Sequence, residues 1–172
     1  NYPLIFIVGP LRSGSTLMMQ WLARTKQIAY PTNLLSRFFK APVVGAKIQQ
    51  LLTDPKYQFR NEFDDLIENV GVNSFNGKTS GTLSPNEFWY FWRRFLPFDK
   101  LDYCSSSQLL QKVDTQLLVS ELSSLANTFQ KPFALKGMIL NYNIDFLASL
   151  FNKVIFIQTK REPAANIASV LD

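Results

Sequence analysis

One short stretch constrains this chain more than any other. It is Gly9-Pro-Leu-Arg-Ser-Gly-Ser-Thr16, a glycine-bracketed turn between a strand and a helix. The preceding Leu4-Ile-Phe-Ile-Val8 is a continuous β-branched and aromatic run, the pattern of a strand buried on both faces. After the turn, Leu17, Met18, Trp21 and Leu22 recur at helical spacing. Strand, tight turn and helix in that order aim backbone N–H groups and the positive end of a helix dipole at one point. Hydroxyls of Ser13, Ser15 and Thr16 stand close by, and Arg12 adds a permanent charge whose fork suits phosphate or sulfate. The stretch reads as an anion-binding loop. Its plainer reading is a polar turn in which Ser13 or Ser15 caps the helix.

The spacing is that of the phosphate loop G-x-x-x-x-G-K-[ST], with Ser15 where lysine belongs. In ATP- and GTP-using enzymes that lysine reaches the β- and γ-phosphates and the next hydroxyl binds Mg²⁺. A loop lacking it points to an anion other than a Mg²⁺-triphosphate. A second signal lies near the other end of the chain. Val154-Ile-Phe-Ile157 reads as a strand running into Gln158-Thr-Lys-Arg-Glu-Pro163 and a helix that carries Ser169. Arg161 falls at the strand's carboxyl end, where open α/β sheets bind ligands. With Ser169 two helical turns further on, it suits a second phosphate. Lys160, Arg161 and Glu162 read equally well as a solvated charged turn.

Between these ends the pattern predicts helices over 60–70, 86–96, 107–129 and 144–151, and strands over 133–136 and 153–158. A helix is also possible between Pro31 and Pro42, residues 73–85 read as a loop, and 163–171 as a helix with proline in its first turn. Strands alternating with helices imply an α/β fold with a central parallel sheet between helical layers. The 172 residues suit a single domain, and a 47% hydrophobic composition supplies a core. The chain starts at Asn1 and stops at Asp172 inside an expected helix, so it reads as the N-terminal portion of a longer protein.

Composition removes several classes. Fifteen Phe, six Tyr and three Trp in a chain only 18% charged exclude disorder. The apolar runs are far shorter than the roughly 20 residues that span a bilayer, so no membrane segment is expected. Zero histidines exclude a His base, a His-ligated metal and a Ser-His-Asp triad from this segment, and with one cysteine a structural zinc site is not expected in it. Cys104 alone forms no intramolecular disulfide, and no glycosylation sequon occurs, which points to a cytoplasmic protein. A net charge of +5 favours an anionic partner, but no basic run or recognised module supports nucleic acid.

Taken together, the two signals resemble the family of sulfotransferases that use PAPS (3′-phosphoadenosine 5′-phosphosulfate). Arg12-Ser13-Gly14-Ser15-Thr16 is similar to the family's 5′-phosphosulfate loop, [K/R]-[S/T]-G-[S/T]-[S/T]. Arg161-Glu-Pro163 with Ser169 is similar to its 3′-phosphate signature, in which the acidic residue is commonly Asp and here is Glu162. The resemblance implies a P-loop-like three-layer fold and sulfuryl transfer from PAPS to a hydroxyl or amine, with PAP as product and no metal. It assigns Arg12 to the phosphosulfate oxygens. Ser13, Gly14, Ser15 and Thr16 then cradle the 5′-phosphate, and Arg161 and Ser169 grip the 3′-phosphate. Many relatives are membrane-anchored, which leaves a Golgi form open beside the cytoplasmic one.

Members of that family use His or Glu as the general base. Glu87, after a polar loop and beside an aromatic cluster, is the candidate, with Glu62 in reserve; Glu87 reads equally as a first-turn acid on a helix dipole. Lys136, ending an expected strand, either points into the same crevice or lies on the surface. Phe88, Trp89, Tyr90, Phe91, Trp92 and Phe95 read as core, with part of the cluster free to line an acceptor pocket. Arg93 and Arg94 suit an anionic acceptor, and a small molecule or carbohydrate is the expected partner. The competing readings are a P-loop kinase-like protein and a non-catalytic nucleotide-binding domain.

Overall fold

The doubly buried strand expected at the start of the chain is β1 (Leu4–Val8), buried along its whole length at the centre of a three-stranded sheet. The computed structural model describes residues 2–57, 60, 62–68, 74–75, 78–97 and 103–171. Helix α1 (Ser15–Arg24) follows the glycine loop, and a 3-10 turn at Leu35–Phe38 leads to α2 (Pro42–Thr53). Then come α3 (Asp64–Glu68), the antiparallel pair β2 (Ser74–Phe75) and β3 (Lys78–Thr79), and α4 (Trp89–Trp92). Helices α5 (Ser106–Lys112) and α6 (Thr115–Phe129) precede β4 (Phe133–Lys136). A 3-10 segment, Met138–Tyr142, opens onto α7 (Ile144–Leu150), β5 (Val154–Gln158) and α8 (Pro163–Leu171).

The sheet order is β4-β1-β5, all parallel. Ile7 pairs with Lys136 on one side and with Ile157 on the other, so the three strands end along one edge. Because side chains alternate across a strand, β1 feeds two cores. Leu4, Phe6 and Val8 join Phe133 and Leu135 against helices α4 to α7. Ile5, Ile7 and Ala134 meet Met19 of α1 on the opposite face. The result is the expected α/β architecture, a parallel sheet flanked by helices. Strand β5 forms one edge of the sheet and leaves Ile155 exposed.

Several elements depart from the expected ones for local reasons. The helix expected over 107–129 is two, because Asp114 accepts from the Leu117 amide at 2.9 Å and starts α6 afresh. A short acid that satisfies an orphan amide makes a cap where the leucine pattern alone reads straight through. Of the helix expected over 60–70, only Asp64–Glu68 is helical; residues 61, 69 and 70 lie outside the described residues. The loop expected over 73–85 carries β2 and β3, with 73, 76 and 77 outside them. Helix α2 was not anticipated, since Pro42, read as a break, sits in its first turn. The aromatic segment is helical only over Trp89–Trp92. Phe88 before it adopts a left-handed φ of 56°, with its amide donating to Asn86 Oδ1 at 2.8 Å. Burial offsets that strain: Phe88 is fully buried and stacks on Phe91 with ring centroids 4.6 Å apart.

Candidate functional site

An open cleft of about 750 Å³ lies over the carboxyl edge of the sheet. Parallel strands bring their carboxyl ends together there, and the turns that follow supply the walls. Gly9, Arg12, Gly14, Ser15, Thr16, Glu87 and Arg161 all line it. The glycine loop and the later basic turn therefore border one cleft. Gly14, at φ 92°, is the N-cap of α1 and offers no side chain, so neither Ser13 nor Ser15 caps the helix. The amides of the first turn are left for another acceptor.

The two motifs meet although 149 positions separate Arg12 from Arg161. Arg161 Nη1 donates to the Arg12 carbonyl at 3.3 Å. Arg12 Nε donates to the carbonyl and to Oγ of Ser169, each at 3.0 Å. Ser169 thus holds Arg12 instead of lining the cleft. These contacts use only Nε of the guanidinium. Ser13 is also not a lining residue: it is buried, with Oγ 2.7 Å from Thr159 Oγ1. Glu162 accepts from the Ala165 amide at 2.9 Å, and the Ala165 and Ala164 amides hold its carboxyl below the ordinary carboxylate value. The acid before Pro163 is a helix cap, a role open to Glu as well as Asp.

On the far wall, Lys136 is 2% exposed, and its Nζ donates to Glu87 Oε1 at 2.5 Å and to Thr16 Oγ1 at 3.0 Å. A buried ammonium thus links the glycine loop to Glu87, the only acid lining the cleft among the described residues. Glu62 is exposed, accepts from the Arg60 amide at 3.2 Å and does not line the cleft. Asn86, next to Glu87, donates to Asn33 Oδ1 at 2.8 Å, and Asn33 donates in turn to the Gly81 carbonyl. The segment bearing Glu87 is fixed by these bonds. Of the aromatic cluster only Trp89 lines the cleft; Phe88, Phe91, Trp92 and Phe95 belong to the core. Arg93 and Arg94 are not lining residues, and Arg94 is committed to both carboxylate oxygens of Glu121, at 2.7 and 2.9 Å.

Three residues that sequence reasoning missed shape the loop: Asn141, Thr159 and Asn166. Asn141 pairs with both the N–H and the carbonyl of Gly9, each at 2.8 Å. No spacing signal marks it. Thr159 follows β5 directly and donates its amide to the Val8 carbonyl at 2.8 Å. Its side chain explains Gly9, where a Cβ would stand 2.3 Å from Thr159 Oγ1 and 2.6 Å from its carbonyl oxygen. Gly9→Ala is therefore expected to cost about 2–3 kcal/mol of stability through overpacking and backbone strain, read as a lower melting temperature. An unchanged melting temperature would show that the close approach is not enforced.

Among the described residues, no group of three or more His, Cys, Asp or Glu side chains gathers at one point, and no helix is long and apolar enough to cross a membrane. No curated protein and no solved structure matches the chain. A model of the sulfotransferase family matches residues 3–171, from the start of β1 to the end of α8. That span takes in both motifs and every strand of the central sheet, and the chain belongs to the sulfotransferase family.

Proposed function

We propose that this chain transfers a sulfuryl group from PAPS to a hydroxyl or amine acceptor, with Arg12 and Glu87 as the catalytic residues. The observation that carries the reading is the meeting of Arg12 and Arg161 at the uncapped start of α1. Two guanidinium groups beside free helix amides fit a ligand with two separate phosphates better than a single anion. Bound there, PAPS supplies the sulfuryl group: an acceptor-to-sulfur bond forms as the bridging sulfur–oxygen bond breaks, and 3′,5′-ADP leaves with the electron pair. Arg12 and the first-turn amides of α1 stabilise the negative charge that grows at the loop. Glu87 takes the acceptor's proton. Its Oε1 is held by Lys136, which leaves Oε2 for that task. Lys136 fixes the carboxylate from behind the cleft wall and brings a positive charge beside Thr16.

The same contact bears on the kinase alternative. In a Mg²⁺-triphosphate loop, the hydroxyl at Thr16 is the metal ligand. Here it accepts a hydrogen bond from a buried ammonium, which would repel a divalent cation. Calorimetric titration with 3′,5′-ADP, 5′-AMP and Mg²⁺-ATP tests the reading. Preferential binding of 3′,5′-ADP, weakened at least tenfold in Arg161→Ala, is the expected result. Preference for Mg²⁺-ATP, or indifference to the 3′-phosphate, overturns it.

A further inference from the structure

Four consecutive carbonyl oxygens in the loop each accept a hydrogen bond. Gly9 O accepts from Asn141 Nδ2 at 2.8 Å and Pro10 O from the Ser13 amide at 3.2 Å. Leu11 O accepts from Asn166 Nδ2 at 2.7 Å and Arg12 O from Arg161 Nη1 at 3.3 Å. A carbonyl oxygen carries partial negative charge, so an uncapped one turned toward a bound anion repels it, and more strongly where water is excluded. An anion loop works only when its N–H poles face the ligand and its C=O poles are occupied elsewhere. Two of the four caps come from asparagines outside the motif positions, one in the 3-10 segment after β4 and one in α8. Asn141 also accepts from Gly9 N at 2.8 Å, so its amide pairs with Gly9 as a neighbouring strand would.

We infer that Asn141 and Asn166 are positioning residues that cap the loop's carbonyls and thereby set its affinity for the nucleotide donor. The inference rests on the PAPS reading, because it concerns the same loop. It also makes α8 and the turn before it part of the donor loop's framework: Asn166, Arg161 and Ser169 hold Leu11 and Arg12 from one side, while Asn141 holds Gly9.

The test is calorimetric titration of the whole chain with 3′,5′-ADP for the wild type, Asn141→Ala, Asn166→Ala and Asn166→Gln, with melting temperatures measured in parallel. Each alanine variant is expected to bind about tenfold more weakly, the consequence of one carbonyl left without its donor. Asn166→Gln keeps a donating amide and should regain part of the affinity. The half-exposed Asn166 variants should melt with the wild type, which keeps the test valid if Asn141→Ala fails to fold. In turnover, KM for the donor rises while kcat stays within about threefold, a split that general loosening of the fold does not produce. Wild-type affinity in Asn166→Ala overturns the inference. So does a loss that follows the melting temperature with no recovery in Asn166→Gln. A wild-type chain that ignores 3′,5′-ADP overturns the PAPS reading instead, and the inference falls with it.

Discussion

Arg12→Ala is expected to lower kcat by about 10²–10³-fold, the scale seen when one preorganised donor to a developing negative charge is removed. The backbone at this residue supports so large an effect. Arg12 holds a left-handed φ of 63°, a conformation that a non-glycine residue adopts only when its surroundings demand it. Its guanidinium is then anchored through Nε to Ser169. The chain thus accepts backbone strain to keep this side chain at the mouth of the loop. The measurement is the rate of 3′,5′-ADP release from PAPS with an acceptor found by screening, alongside the melting temperature. Arg12→Lys should recover only a minor part, because an ammonium has neither the fork nor the Nε that reaches Ser169. Activity within threefold of wild type in Arg12→Ala would remove the residue from the mechanism.

Glu87→Gln carries the second large expectation, a fall in kcat of about 10²–10⁴-fold with 3′,5′-ADP affinity preserved. The complication is Lys136. It is nearly fully buried, and Glu87 is the acid that pairs with it. Neutralising Glu87 leaves that ammonium without its counter-charge and destabilises the fold by up to roughly 3 kcal/mol, the usual cost reduced by the partial exposure of the carboxylate. A loss of activity alone therefore does not separate a base from a structural counter-ion. The double variant Glu87→Gln with Lys136→Met does, because replacing a whole ion pair by neutral groups is often tolerated. If Glu87 is the base, the double variant regains the melting temperature and stays inactive. If activity returns with stability, the acid is only a partner for Lys136.

Much of the fold was legible because it is written in short-range pattern. The apolar run Leu4–Val8 has the composition of a strand covered on both faces, and β1 has both cores against it. The glycine spacing after it requires a turn that only small residues permit, and Gly9 and Gly14 indeed sit at positive φ. Less legible were features where one side chain overrules periodicity. Asp114 divides a leucine-patterned stretch into two helices, and Phe88 turns left-handed to reach the core. Helix α2 went unseen because proline reads as a break wherever it falls, although at the first turn it is a start.

The sequence by itself determined that a glycine-bracketed turn follows a buried strand, that a second basic turn ends a later strand, and that these 172 residues hold no histidine. Local spacing suffices for these, since each motif is a contiguous run with its own backbone requirement. Only the tertiary structure decided what the motif residues touch. It set Ser169 on Arg12, withdrew Ser13 behind Thr159, chose Glu87 over Glu62 as the cleft's acid and placed Lys136 beneath it. It also brought Asn141 and Asn166 to the loop carbonyls. Contacts across 132 or 155 positions leave no periodic trace, because they depend on how three parallel strands bring their carboxyl ends to one edge.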